Sequence, residues 1–257
     1  MSNITHYNQK VWNKKVEENV SYTQPVSKSV IEKSNSGNWE ISVTASRKVP
    51  RDWFPENIRG MKILCLASGG GQQGPVLAAA GADVTVVDIS ERQLEQDRRV
   101  AERDHLSLKT IQGEMTNLHF LDEESFDLIV HPVANLFIEN VRPVWKEAFR
   151  VLKQNGSLIS GFMNPVLYLF NDDKEAKGIL DVQYKIPYSP ISTGESDHFT
   201  EAGEALEFGH TLEDQIQGQT DAGFLIAGFY EDDFGGIRTV DQYIKTMIAT
   251  RAIKMGV

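Results

Sequence analysis

The chain has a single cysteine, Cys65, inside an apolar run, which excludes an internal disulfide and favours a reducing compartment. Long apolar runs are missing too. The candidates at residues 61–67 and 76–80 fall far short of the roughly 20 residues that cross a bilayer. The first fifteen residues mix polar and charged side chains with no apolar core, so they do not read as a secretory signal, and the cytoplasm is the expected location. Positive charge is in deficit: 26 Lys and Arg stand against 36 Asp and Glu, for a formal net charge of -10. That balance opposes a broad phosphate-tracking surface, so neither nucleic acid nor membrane is an expected partner. Ligand spacing for a metal is absent as well. His198 and His210, with Asp197 and Glu204 nearby, match no zinc signature, and no metal is expected.

What is present is an ordinary globular composition, 40% hydrophobic and 24% charged, long enough at 257 residues for one α/β domain and an appended cap. No internal repeat is visible. Residues 1–57 are polar and irregular, carry aromatics at Tyr7, Trp12, Tyr22, Trp39, Trp53 and Phe54, and read as an N-terminal cap on a domain spanning 58–257. From residue 61 apolar strands alternate with amphipathic helices, the texture of parallel βαβ units. Strands are predicted at 61–67, 83–87, 108–112, 126–130 and 157–162, after a turn at Asn155 and Gly156. Pro75 and Gly81 bracket the first helix of this region in the expected asymmetry. Ser90 followed by Gln93 predicts a capping box for the next, which runs to about residue 101, and another helix is expected at 141–153. Residues 164–208 lose periodicity and are too long for a simple connection, so they read as a substrate-lid insertion. A helix near 212–222 and strands at 224–230 and about 243–253, the last pair antiparallel, complete the chain.

One segment carries chemistry. Strand, Gly-rich turn, helix, second strand and terminal acid succeed one another, with Ser68, Gly69, Gly70 and Gly71 in the turn and Asp88 19 residues beyond Gly69. Glycines admit a ligand close to the backbone, and an acid at the second strand's tip accepts from ribose hydroxyls. A nucleoside-bearing cofactor follows. Gly69, Gly71 and Gly74 also satisfy the dinucleotide fingerprint, so the loop alone leaves NAD and S-adenosylmethionine open.

Further on come Gly113-Glu114-Met115-Thr116-Asn117-Leu118, then Phe126-Asp127-Leu128-Ile129-Val130, then Val151-Leu152-Lys153-Gln154-Asn155-Gly156-Ser157-Leu158. In that order these resemble the motif series of class I S-adenosylmethionine-dependent methyltransferases, well over residues 60–165 and more loosely over 210–253. The resemblance implies a doubly wound α/β fold, with a seven-stranded, mostly parallel sheet and an antiparallel last strand. It assigns Ser68, Gly69, Gly70, Gly71, Gln73, Gln93 and Gly113 to the cofactor. Asp88 would hold the ribose, Ile89 and Met115 would cover the adenine faces, and Glu114 would accept from the adenine amino group. Two positions depart from the family pattern. Cys65 stands where an acid usually helps arrange the loop, and Ala67 where the first glycine usually sits.

His131 falls at the expected reaction centre, either as a general base or contributing only its backbone to the cofactor site. Asn135, Tyr188 and His210 are candidate substrate contacts. Trp12, Tyr22 and Trp39 either cover the active site or attach the cap. The stretch from His131 to Asn135 is not the Asn/Asp-Pro-Pro-aromatic tetrad of amino-group methylation, no cysteine stands near the fourth strand, and no paired acids for magnesium are recognisable. What remains is direct in-line methyl transfer to an O, N or C atom of a small molecule. Two alternatives stay open. One is a non-catalytic binder of S-adenosylmethionine or S-adenosylhomocysteine, favoured by the loss of acid at Cys65. The other is an NAD-dependent oxidoreductase, opposed by the absence of a Tyr-x-x-x-Lys constellation around Tyr184 and Lys185.

Overall fold

A computed structural model of the chain describes residues 3–256. Seven strands form one sheet: β1 (Lys62–Leu66), β2 (Asp83–Asp88), β3 (Leu108–Gln112), β4 (Phe126–His131), β5 (Leu152–Met163), β6 (Phe224–Asp232) and β7 (Met247–Lys254). Their spatial order is β3-β2-β1-β4-β5-β7-β6. The first five strands pair in parallel, and β7 runs antiparallel between β5 and β6. Strand order reverses between β1 and β4, so a crevice opens at their carboxyl ends, where open α/β sheets bind ligands.

Alternation along the strands builds a core on each face. Ile63 and Cys65 of β1 pack with Leu77 of helix α3 (Gln73–Ala79) and Leu94 and Val100 of helix α4 (Glu91–Asp104). Leu64 and Leu66 pack on the other face with Val144, Trp145 and Ala148 of helix α5 (Arg142–Val151). Trp145 is fully buried, and its Nε1–H donates to the Asp214 carbonyl at 2.9 Å.

The N-terminal segment departs from its expected irregularity. It holds helix α1 (Asn3–Glu17) and helix α2 (Lys28–Asn35), here given labels in chain order before α3. The buried positions of α1 are Thr5, Asn8, Val11, Lys15 and Val16, a helical spacing in which three of five side chains are polar. An apolar stripe was therefore absent from the sequence; hydrogen bonds dock this face instead. Asn8 Nδ2 donates to the carbonyls of Phe137 and Leu206, each at 3.0 Å, and its Oδ1 accepts the Leu206 N–H at 2.8 Å.

Two strand boundaries also move. β5 begins at Leu152 because Asn155 adopts φ 64° and the pairing with β4 shifts register between Phe126 and Leu128, so the expected turn becomes an irregularity within the strand. β7 begins only at Met247, because residues 239–242 form a 3₁₀ turn whose Asp241 carboxylate accepts from the Arg238 N–H and the Thr246 hydroxyl.

Residues 164–208 carry a 3₁₀ turn (Pro165–Leu169) and short helices at Asp172–Glu175, Pro190–Thr193 and Ser196–Ala202. They share a third core in which Leu167, Tyr168 and Tyr188 meet Leu136, Met163 and Met247. Among the described residues no helix is long and apolar enough to cross a membrane.

Candidate active site

The crevice is built from the glycine turn outward. β1 ends at Leu66, Ala67 takes a left-handed φ of 47°, and the chain turns through Gly69–Gly71 before α3. A β-carbon at Gly69 would lie 2.7 Å from Gln93 Cβ, at Gly71 2.7 Å from Pro25 Cβ, and at Gly74 2.6 Å from Val86 Cγ2. The glycine spacing thus answers first to packing against α4, β2 and the N-terminal segment. Ala67 carries the strain instead. L-residues in this region pay about 1–2 kcal/mol, part of which glycine returns as unfolded-state entropy. Ala67→Gly is expected to stabilise the chain by about 1 kcal/mol, a Tm rise of about 2–4 °C by calorimetry.

Two carboxylates hold the turn. Asp88, at the tip of β2, accepts the Gly69 N–H at Oδ2 (2.9 Å) and the Ser90 N–H at Oδ1 (2.8 Å). Burial pushes its pKa above the usual carboxylate range, while these amides pull it back. A carboxylate offers about four lone-pair sites, so Asp88 retains acceptor capacity. The second carboxylate is Asp97 of α4, fully buried, whose Oδ2 accepts the Gly70 N–H at 3.0 Å. Its Oδ1 has no partner, and burial pushes its pKa up to about 8. Cys65 is buried close enough for Asp97 to raise its thiol pKa further, beyond the strong effect of burial, leaving an inert thiol. So the acid missing from β1 has a counterpart on α4.

Only half of the expected capping box forms. Ser90 Oγ accepts the Gln93 N–H at 3.2 Å, but the Ser90 N–H is already taken by Asp88, and Gln93 Oε1 is left buried without a partner.

A cavity of ≈ 170 Å³ opens beside these groups, more than ten times the ~10–15 Å³ that holds one water. Of the predicted cofactor residues, Ser68, Gly69, Gln73, Asp88, Ile89 and Gln93 line it, as do Gly113, Glu114 and Met115. Gly70 and Gly71 do not; they lie behind the wall. The Gly113 N–H bonds to the Asp88 carbonyl at 3.0 Å, which sets Glu114 and Met115 beside Asp88. Glu114 Oε1 accepts from Thr116 at 2.7 Å. The opposite wall is α1, which contributes Thr5, Asn8 and Trp12, with Tyr22 just after it. Trp12 packs edge-to-face on Phe137 at 5.1 Å and on Tyr22 at 6.0 Å. Trp39 belongs to the core instead, edge-to-face with Phe54. The three cap aromatics thus divide between the two expected roles. Sequence reasoning missed Thr5 and Asn8 because their helix was invisible to it.

The expectations for the reacting end are corrected. His131 is fully buried and does not line the cavity; its Nδ1 meets the Leu66 carbonyl at 2.9 Å and its Nε2 meets Asn135 Oδ1 at 2.8 Å. Burial lowers its pKa, and the ring is shut off from the cavity where an acceptor's proton would be released. Strand alternation held the signal: position 131 shares a face with Ile129, which packs toward α5, and the imidazole meets Trp145 at 6.1 Å. Asn135 and His210 belong to the same buried network, through Asn135 to Gln215 (3.0 Å) and His210 Nε2 to the Asn135 carbonyl (2.9 Å). Tyr188 stacks on Tyr168 at 5.5 Å, in the wall of a separate cavity. None of the three candidate substrate contacts lines the crevice. Pro132, Val133 and Phe137 do.

Residues 64–160 match the family described as a methyltransferase domain. The chain is 57% identical to Uncharacterized methyltransferase YbaJ of Bacillus subtilis (strain 168), over 99% of this chain and 100% of the relative. The chain belongs to the class I S-adenosylmethionine-dependent methyltransferases. More distantly, it is 24% identical to a Ubiquinone biosynthesis O-methyltransferase of Pelagibacter ubique (strain HTCC1062), over 58% of this chain and 60% of that one. The fold is similar to an S-adenosylmethionine dependent methyltransferase from Mesorhizobium loti, with TM-score 0.62 and 17% identity over 79% of this chain and 94% of that chain.

The cleft of this methyltransferase fits its cofactor chemically. A nucleoside sulfonium needs a ribose acceptor, a thin apolar slot with one polar edge, acceptors for an ammonium, and no fixed cation near sulfur. The lining offers a carboxylate with spare acceptor capacity at Asp88, apolar side chains at Ile89 and Met115, and a polar edge at Glu114. Ser68 and Gln73 add polar groups to the lining, and Trp12 and Phe137 present aromatic rings that suit a cation.

Proposed function

We propose that this methyltransferase moves a methyl group from S-adenosylmethionine to an O, N or C nucleophile of a small molecule, by direct in-line displacement. The observation that carries the reading is the closure of the cofactor cleft by α1, which leaves Trp12 and Phe137 in edge-to-face contact over its reacting end. A cleft of this kind admits a compact acceptor and keeps out a polymer. The net charge of -10 agrees, since it opposes nucleic-acid substrates. The relative named for ubiquinone biosynthesis likewise supports an organic acceptor.

Residues 1–57 act here as a cap and 164–208 as the acceptor-side insertion, in the cytoplasm. The cofactor supplies an activated methyl group on a good leaving group. The protein's own work is then geometric. Asp88 and Glu114 fix the nucleoside, while Trp12, Tyr22, Val133 and Phe137 exclude water from the reacting end. Holding the reactants in near-attack geometry supplies much of the acceleration in such a transfer.

The test is a calorimetric titration of the purified chain with S-adenosylmethionine, S-adenosylhomocysteine and NAD. Saturable binding of the first two and not the third is expected. Binding of NAD alone would refute the assignment. Tight binding of both nucleosides without turnover over a broad acceptor panel would favour a non-catalytic binding role.

A further inference from the structure

We propose that a second cavity, which shares four wall residues with the cofactor cleft, holds the methyl acceptor, and that Glu207 is the base that takes a proton from a weakly acidic hydroxyl on a largely apolar molecule. This rests on the methyl-transfer reading above.

The second cavity, ≈ 310 Å³, shares Trp12, Tyr22, Val133 and Phe137 with the cofactor cleft. Its contact with that cleft is therefore at the carboxyl end of β4, where the reacting atoms must meet. Beyond these shared residues, Leu136, Met163, Leu167, Phe234 and Met247 make the walls, so the body of the acceptor is apolar.

Four charged side chains also reach the space: Lys15, Glu204, Glu207 and Arg238. Three of them are neutralised in place. Lys15 pairs with Glu204 and donates to the Tyr22 hydroxyl at 2.9 Å. Arg238 pairs with both Glu175 and Asp172. Glu207 makes no ion pair among the described residues; it accepts the Tyr168 hydroxyl, at Oε2 and 3.1 Å. Its Oε1 is left for an incoming donor. A carboxylate kept in a largely apolar cavity without a counter-ion is costly unless a ligand uses it.

The environment suits proton transfer. Burial pushes the Glu207 pKa up to about 7, with Asp172 and Glu204 adding to the rise and Tyr168 and Arg238 opposing it. Lys15 stands behind Glu204, and Tyr184, Tyr188, Glu195 and His198 line the adjoining cavity that Glu207 also borders. A base of that strength is matched to neutral pH. A hydroxyl is favoured over an amine because an amine would enter as an ammonium, carrying charge into apolar walls and no lone pair to attack with.

The transfer balances without a further reactant. The acceptor oxygen gives its proton to Glu207 Oε1 and its lone pair forms the new carbon–oxygen bond. The electron pair of the broken carbon–sulfur bond stays on sulfur. The products are a methyl ether and a neutral thioether, and the carboxyl returns its proton to solvent.

The experiment uses 2-naphthol as probe, with S-adenosylhomocysteine affinity measured separately by calorimetry. The wild-type chain is expected to methylate 2-naphthol, with a rate rising with pH to a plateau and a midpoint near 7. Glu207→Gln should lower kcat by about 100-fold or more. It should leave S-adenosylhomocysteine affinity unchanged, and 2-naphthol should still quench tryptophan fluorescence in that complex. Tyr168→Phe removes a hydrogen bond that lowers the Glu207 pKa, so its rate profile should shift to higher pH at similar plateau. If the wild type fails to bind S-adenosylhomocysteine, the methyl-transfer reading itself fails. If it binds that nucleoside but neither binds nor methylates 2-naphthol, or if Glu207→Gln turns over at the wild-type rate and pH profile, the acceptor assignment is overturned.

Discussion

Asp88→Ala is expected to weaken S-adenosylhomocysteine binding by about 10–100-fold, since hydrogen bonds to a charged group contribute about 1.5–3 kcal/mol. The effect has two parts. The variant loses the acceptor that faces the cavity, and it also frees the Gly69 and Ser90 amides that Asp88 holds at 2.9 and 2.8 Å. Asp88→Asn separates them, because an amide oxygen still accepts one of those N–H groups. Its loss should lie between wild type and alanine. There is a pH signature as well. Burial raises the Asp88 pKa, and only the ionised form accepts from two ribose hydroxyls. Affinity should therefore fall as pH drops through that raised value, and the dependence should vanish in both variants. Calorimetric titration across pH 4–8 reads all of this at once. Equal affinity in Asp88→Ala and wild type would remove Asp88 from the cofactor site.

Asp97→Asn should make the chain more stable at alkaline pH and change it little near pH 4. Asp97 is fully buried, makes no ion pair among the described residues, and has a pKa raised from 3.8 to about 8. Its folded-state pKa lies above the unfolded value, so the folded chain binds the extra proton. Stability contributed by that proton is complete below about pH 4 and is lost as pH rises to about 8. An asparagine keeps an oxygen for the Gly70 N–H and cannot ionise. The wild-type Tm should thus fall between pH 4 and 8 by more than the variant's, with a difference of several degrees at pH 8. Parallel Tm profiles would show that Asp97 has the same pKa in both states. The position is informative because Cys65 departs from the family's acid in β1. A carboxylate from α4 holds the turn here, reached across the same packed layer.

How much of this was legible varies by residue. β1 to β4 were readable within a residue or so at each end, because short apolar runs bounded by turn residues encode buried parallel strands. That Asp88, Glu114 and Met115 border one cavity follows from the strand ends and the motif series, since a strand's carboxyl end is known once the strand is. α1 was not, since Asn8 and Lys15 do the work that leucines do in an amphipathic helix, and their partners, Leu206 and Glu204, lie far along the chain. For His131 the sequence leaves a general base and a backbone-only role open, because proximity to the reaction centre in sequence says nothing about which face its side chain takes. Its imidazole lies on the α5 side, bonded to Leu66 and Asn135. Glu207 had no signal at all. It lies in a segment without periodicity, and it stands out only because, among the described residues, it makes no ion pair where its charged neighbours do.

The sequence by itself determined the doubly wound sheet, the glycine turn and the cavity wall around Asp88. These are local matters: each rests on a strand, the turn that follows it, and steric rules acting over a few residues. Tertiary structure decided the proposed acceptor cavity, where Trp12, Val133, Met163, Glu207 and Met247 meet around one space. Those residues are drawn from across nearly the whole chain, and burial and charge compensation among them exist only once the sheet, α1 and the insertion have packed.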